Sequence, residues 1–401
     1  MNTEKIVYTV FEVLNSRGLS VIYLDKAKSL LMSLAYDKLN DQPSYLASYT
    51  GHIKETWTKI YSSIGINEFN SEDIIKYMGT LLVGSESKGR LVSCDDALEV
   101  IRIKINERIE NITLIDDLIV RIAKYMRELV DNPFYDFFSS ITQLRFFYIS
   151  LKLNQSISDS EMKYILDEWE KTAFKIYGLF GRDAKKKIGD FIRLSREIFL
   201  GTINNPFGDS DEKRLEFEAL DLKGKIISRL KYIGDDYEIE RIADELADKD
   251  CYSEWQDELK YLFFRIEKYM VNKKTGTNSG IDLAKWQQIF ASKLDDSVEH
   301  IFPQTITPEW RGKLGQGNRV EKIVNRLGNL LILPVSLNAQ AGNRAFEAKK
   351  EVYHNAMLHS AADVVYEDYL SGSSTKRNDW NLHEIEERER RLHSIIINIF
   401  K

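Results

Sequence analysis

Apolar residues recur at helical spacing through most of the chain. In 256–270, QDELKYLFFRIEKYM, Leu259, Leu262, Phe263, Ile266 and Met270 fall at helical intervals with charges between them. That is the pattern of a helix with one buried stripe. Residues 99–130 and 160–200 carry similar long charged-and-apolar runs with no internal proline, and each predicts helix. Residues 135–152, YDFFSSITQLRFFYISLK, are more uniformly apolar and aromatic, which predicts a central core helix. Breaks are few. Residues 132–134 and 202–212 (TINNPFGDSDE) carry turn chemistry. The polar stretch 272–280, NKKTGTNSG, predicts the main boundary, between a helical region 1–280 and a second domain 281–401. A loop at 371–379, SGSSTKRND, precedes a last charged helix over 380–400.

The pattern changes after residue 290. Pro303, Pro308 and Pro334 fall close together, and Gly312, Gly315, Gly317, Gly328 and Gly342 cluster with them. Short strands and loops are expected here in place of long helix. In SVEHIFPQ, 297–304, an apolar strand ends in Glu299-His300 before Pro303. In GNLLILPVSLN, 328–338, a second apolar strand stops at Pro334, and GNRAFEAKKEVY, 342–353, opens a helix near Asn343. The predicted fold class is therefore mainly α: a multi-helical N-terminal region, then a ββα unit embedded in helices. A unit of this kind can hold one divalent metal.

Composition narrows the class. Hydrophobic residues are 43% and charged residues 29% of 401, which excludes wholesale disorder and allows a large core without staples. Two cysteines, Cys94 and Cys251, exclude a disulfide framework and a Cys-rich zinc site, and suit buried thiols in a reducing compartment. The N-terminal MNTEKIVYTVFEVLNSRG lacks the order of a signal peptide, and no stretch approaches a membrane span. A cytoplasmic location is expected. The net charge of −6 does not suggest nucleic acid, but 305–354 reverses it, with eight basic residues against four acidic ones.

That basic excess sits beside His300. Hydrolysing a phosphodiester needs an activated water and a group that neutralises the pentavalent phosphate. A neutral histidine suits the first task. Mg²⁺ or Mn²⁺, held by oxygen ligands such as Glu299 and an asparagine amide, suits the second. Arg344 and the lysines can hold a DNA backbone.

VEHIFPQ, LGNLLIL, LN, GN-x-x-F-x-x-KK and a terminal helix with Trp380, Ile385, Arg388 and Arg391 together resemble the C-terminal nuclease domain of GmrSD-type restriction proteins over about 285–401. That domain is an HNH, or His-Me finger, nuclease. The resemblance implies His300 as general base and Glu299 where such enzymes commonly carry an aspartate metal ligand. It implies Asn338 as the second-strand exit ligand. Asn343 is either the third signature residue, a further metal ligand, or a helix N-cap. Asn329 joins the catalytic set, chiefly by pinning the loop between the strands, and Lys349 would sit near the scissile phosphate. Arg311, Lys313, Arg319, Arg344 and Lys350 would contact DNA. Residues 10–28, VFEVLNSRGLSVIYLDKAK, resemble a segment of the same proteins' N-terminal half. There it follows a ParB-like, nucleotide-handling domain, and Glu12, Asn15, Arg17 and Asp25 either pin the first helices or close a nucleotide pocket. A partner or preceding domain of ParB type is therefore expected. One site per chain cuts one strand, so double-strand breaks would need a homodimer or two successive nicks. The resemblance implies defence against phage or foreign DNA. A non-catalytic DNA-binding subunit and an RNA-cleaving enzyme stand as alternatives.

Overall fold

A computed structural model of the chain describes residues 22–64, 71–83, 89–208, 210–247, 249–255, 257–277, 280–314 and 320–401. It is mainly helical, with one two-stranded sheet among the described residues. Glu12, Asn15 and Arg17, and with them most of the N-terminal matching segment, lie outside those residues. No helix among them is long and apolar enough to cross a membrane.

The chain divides into two compact units. The first takes in the described residues within 1–132, 138–169 and 184–233. Its helices are α1 (Tyr23–Leu39), α2 (Pro43–Ile64), α3 (Ser71–Leu82), α4 (Cys94–Glu107), α5 (Asn111–Val130), α6 (Thr142–Leu153), most of α7 (Asp159–Ala173), α8 (Ile188–Leu200), α9 (Asp211–Glu218) and α10 (Leu222–Gly234). The run 99–130 is two helices and not one. Arg108 turns extended, and Asn111 reaches back to cap the Lys104 carbonyl at 2.7 Å, an interruption made by side-chain hydrogen bonding without proline or glycine. The aromatic run forms α6, where Leu144, Phe146, Phe147, Ile149 and Leu151 are fully buried. A helix so rich in large apolar side chains belongs in a core. The run 160–200 is also interrupted, by a π-helical turn at Phe174–Leu179 and by Gly181 at φ 53°.

Asp116 on α5 is fully buried, and neither carboxyl oxygen has a hydrogen-bond partner. His52 on the facing α2 stands at 3.8 Å, beyond hydrogen-bond reach. Burial, aided by the neighbouring Asp117, pushes the Asp116 carboxyl up to about 8. Between its ordinary value and 8 the folded chain therefore holds a proton that the unfolded chain releases, so this group's contribution falls as pH rises through that window. Asp116→Asn keeps the shape without the titration. The variant is expected to exceed the parent by about 3–5 kcal/mol at pH 8 and to match it near pH 4. Urea unfolding at the two pH values measures the difference; an equal gain at both would remove the titration argument.

The second unit takes in 133–137, 170–183 and 234–401. It contains α11 (Asp257–Thr275), α12 (Leu283–Ala291), β1 (Val298–His300), β2 (Leu330–Ile332), α13 (Val335–Ala341), α14 (Phe346–Ala356), α15 (His359–Val365) and α16 (Leu382–Phe400). The stripe Leu259, Leu262, Phe263, Ile266 and Met270 is buried on α11, which packs against α15 and α16. Those contacts explain why the boundary expected near residue 280 falls inside this unit: helices on both sides of it share one core. Asn381 caps α16 by accepting from the Glu384 amide at 3.3 Å.

Candidate active site

β1 and β2 are antiparallel, with Glu299 opposite Leu331 and His300 opposite Leu330. Pro334, at φ −55° and ψ 139°, stands at the N-cap of α13, which follows directly. The stretch between the second strand and the helix expected near Asn343 is itself helical, and that expected helix opens at Phe346.

Successive strand residues point to opposite faces. Glu299 turns inward and is buried. Its Oε1 accepts from Lys349 Nζ at 2.6 Å and from the Tyr353 hydroxyl at 2.7 Å. Lys349, fully buried, also donates to the carbonyls of His300 at 2.8 Å and Ile301 at 3.1 Å. The ammonium's three hydrogens are thus used. Burial raises Glu299 and lowers Lys349, and each charge opposes the other's shift. The pair ties α14 to the end of β1. Lys349 spends its three hydrogens inside the domain, and Glu299 carries an ion pair of its own.

The other expected residues separate in a similar way. Asn329 is fully buried. Its Oδ1 accepts from the Phe302 amide at 2.8 Å and Trp380 Nε1 at 3.1 Å, and its Nδ2 donates to the carbonyls of Phe302 at 2.9 Å and Val324 at 2.8 Å. All its capacity pins the loop, leaving none for a substrate. Asn338 lies on α13 and donates to the Asp296 carbonyl at 3.0 Å. Asn343 is exposed in the turn before α14, where Ala345 holds the N-cap position. No hydrogen bond joins Glu299, Asn338 and Asn343, and no group of three or more His, Cys, Asp or Glu able to hold a metal occurs among the described residues. Of the expected Mg²⁺ or Mn²⁺ ligands, Glu299 is engaged by Lys349 and Tyr353.

The basic surface is thinner than its composition suggests. Lys350 is buried, donating to the Arg377 carbonyl at 3.0 Å and pairing with Glu347. Arg326 pairs with Glu389, and Lys313 with Asp379. Arg311, Lys322 and Arg344 are exposed, and Arg319 lies outside the described residues.

His300 faces the other way, half-buried. Its Nε2 is 3.1 Å from Asn325 Oδ1, and Asn325 Nδ2 donates to Asp250 Oδ2 at 2.9 Å. The Tyr252 ring meets the imidazole edge-on at 4.6 Å, and its hydroxyl donates to Asp295 at 2.9 Å. Burial pushes the imidazole down to about 4; the Asn325 contact opposes this, and the Lys349 charge reinforces it. At pH 7 the ring is neutral, with a lone pair available to take a proton. Asp250 is affected by burial upward, but the bonds from the Ser253 amide and Asn325 outweigh this and hold it below the ordinary carboxylate value. Sequence reasoning missed Asp250, Tyr252 and Asn325. They stand 25 to 50 residues from His300 on separate elements, so no local spacing signals the meeting.

Gly328 lets α16 approach. A Cβ there would stand 2.2 Å from the Ile385 carbonyl oxygen, while buried Arg388 donates to the carbonyls of Gly328 at 2.8 Å and Leu330 at 2.7 Å. Gly328→Ala must push α16 off the Leu327–Asn329 turn, and an overpacking loss of about 2–3 kcal/mol is expected in urea unfolding. An unchanged midpoint would mean that the helix yields without loss.

Residues 236–395 match the family model described as GmrSD restriction endonucleases, C-terminal domain. No curated protein and no solved structure matches the chain.

Proposed function

From the premise that residues 236–395 form a GmrSD-type restriction endonuclease C-terminal domain, we propose that the chain hydrolyses DNA phosphodiesters, with His300 as general base. The observation that carries this reading is the state of His300: a half-buried, neutral imidazole at a strand end, held through one ring nitrogen. As water oxygen bonds phosphorus, its proton passes to the imidazole, and the bond to the leaving sugar oxygen breaks, that oxygen taking a proton from solvent. The succession of β1, β2 and α13–α14 supports an HNH, or His-Me finger, type. Exposed Arg311, Lys322 and Arg344 are suited to backbone phosphates. The divalent ion such a nuclease implies would neutralise charge on the phosphate, and its carboxylate ligand, Glu299, would have to exchange its bonds from Lys349 and Tyr353 for the ion. The biological setting we infer is restriction of phage or foreign DNA in the cytoplasm.

The test is cleavage of supercoiled plasmid and a matched RNA by the whole chain, with Mg²⁺, with Mn²⁺ and with EDTA. Nicking of DNA that EDTA abolishes is the expected result. Preferential RNA cleavage would move the substrate class, and DNA binding without cleavage under any condition, including after addition of a ParB-type partner, would sink the nuclease reading.

A further inference from the structure

We propose that Asp250 and Asn325 are positioning residues that fix the tautomer of His300, so that Nδ1 is the nitrogen that receives the proton from the attacking water. The inference rests on the nuclease reading for its second half, and on hydrogen-bond polarity alone for its first.

The chain of polarity starts at Asp250. Its carboxylate can only accept hydrogen bonds. One oxygen is held by the Ser253 amide at 2.8 Å, where Asp250 caps the one-turn helix Cys251–Glu254, so the group cannot swing away. The other oxygen receives a bond from Asn325 at 2.9 Å. Only the amide NH₂ can donate it; a flipped amide would set carbonyl oxygen against carboxylate oxygen. The Asn325 carbonyl oxygen must therefore face His300 Nε2, at 3.1 Å. An acceptor there requires Nε2 to carry hydrogen. A neutral imidazole has one N–H, so the lone pair is on Nδ1, for which no protein partner occurs among the described residues. Tyr252, anchored on Asp295, holds the ring from its edge. The three side chains in series thus convert a fixed negative charge into a fixed proton position without placing that charge on the imidazole.

The test uses ¹⁵N-labelled whole chain. In the wild type, Nε2 is expected at the protonated, pyrrole-type shift and Nδ1 at the pyridine-type shift. Asp250→Asn removes the acceptor-only group and frees the Asn325 amide to turn over. Mixed tautomer shifts are expected, with kcat for plasmid nicking down by about 10–100-fold and KM little changed, the range typical for partners that orient a functional histidine. The double variant Asp250→Asn, Asn325→Asp restores an acceptor facing Nε2 and a donor behind it. It should recover both the Nε2–H signature and most of kcat, which a merely structural defect would not allow. A wild type protonated on Nδ1, or Asp250→Asn with unchanged shifts and unchanged kcat, overturns the proposal. Shifts that follow the scheme in a chain that cleaves nothing would retain the tautomer lock and remove the catalytic half, separating this failure from that of the nuclease reading.

Discussion

His300→Ala is expected to lower the rate of DNA nicking by about 10²–10⁴-fold, the usual loss when a general base is removed. In the proposed reaction the imidazole accepts the water proton, and the side chains bonded or packed against it among the described residues are an amide, Asn325, and Tyr252, whose hydroxyl is bonded to Asp295. Loss should appear in kcat, with DNA binding retained. The pH profile adds a second check. Because burial holds His300 down to about 4, the base stays unprotonated from pH 8 to pH 5. The acid limb expected of an ordinary imidazole near 6.5 should be missing. The same shift acts on stability: between 4 and 6.5 the unfolded chain binds a proton that the folded one does not, so this group's contribution is lost as pH falls through that window. Full activity in His300→Ala would place the chemistry elsewhere.

Lys349→Met is expected to destabilise the domain by about 3–5 kcal/mol, because it leaves the Glu299 carboxylate buried with only the Tyr353 hydroxyl. Adding Glu299→Leu removes the stranded charge and should recover a good part of that loss. Recovery stays incomplete, since the carbonyls of His300 and Ile301 also lose their donor. The double variant also separates the two accounts of this pair. If Glu299 and Lys349 only brace β1 against α14, a refolded double variant keeps nicking activity within a few-fold. If instead they hold a metal or touch the scissile phosphate, it regains stability and stays inactive. Denaturant unfolding and plasmid nicking on the same preparations give both readings.

Much of the architecture was legible from periodicity. The α11 stripe, the aromatic-rich α6, the β1 and β2 strands and the final helix α16 are each set by local patterns that burial then honours. The interruptions at 108–110 and 174–187 were not legible. They arise from a capping asparagine, a π turn and left-handed residues, none of which disturbs the count of apolar positions.

The candidate site divides along the same line. Residue identity and order marked His300, its strand and the glycine–asparagine entry to the second strand, because those are short-range signals. Strand alternation turns Glu299 and His300 to opposite faces. What only the tertiary structure decided is which partner each side chain meets. Lys349 turned out to face the interior because α14 packs under β1, where a lone ammonium needs a carboxylate and carbonyls. Asp250 and Asn325 reach His300 because folding closes loops of 50 and 25 residues onto one imidazole. Hydrogen-bond polarity is a property of such meetings, so the sequence marked His300 as the candidate, and the fold set which of its ring nitrogens meets Asn325.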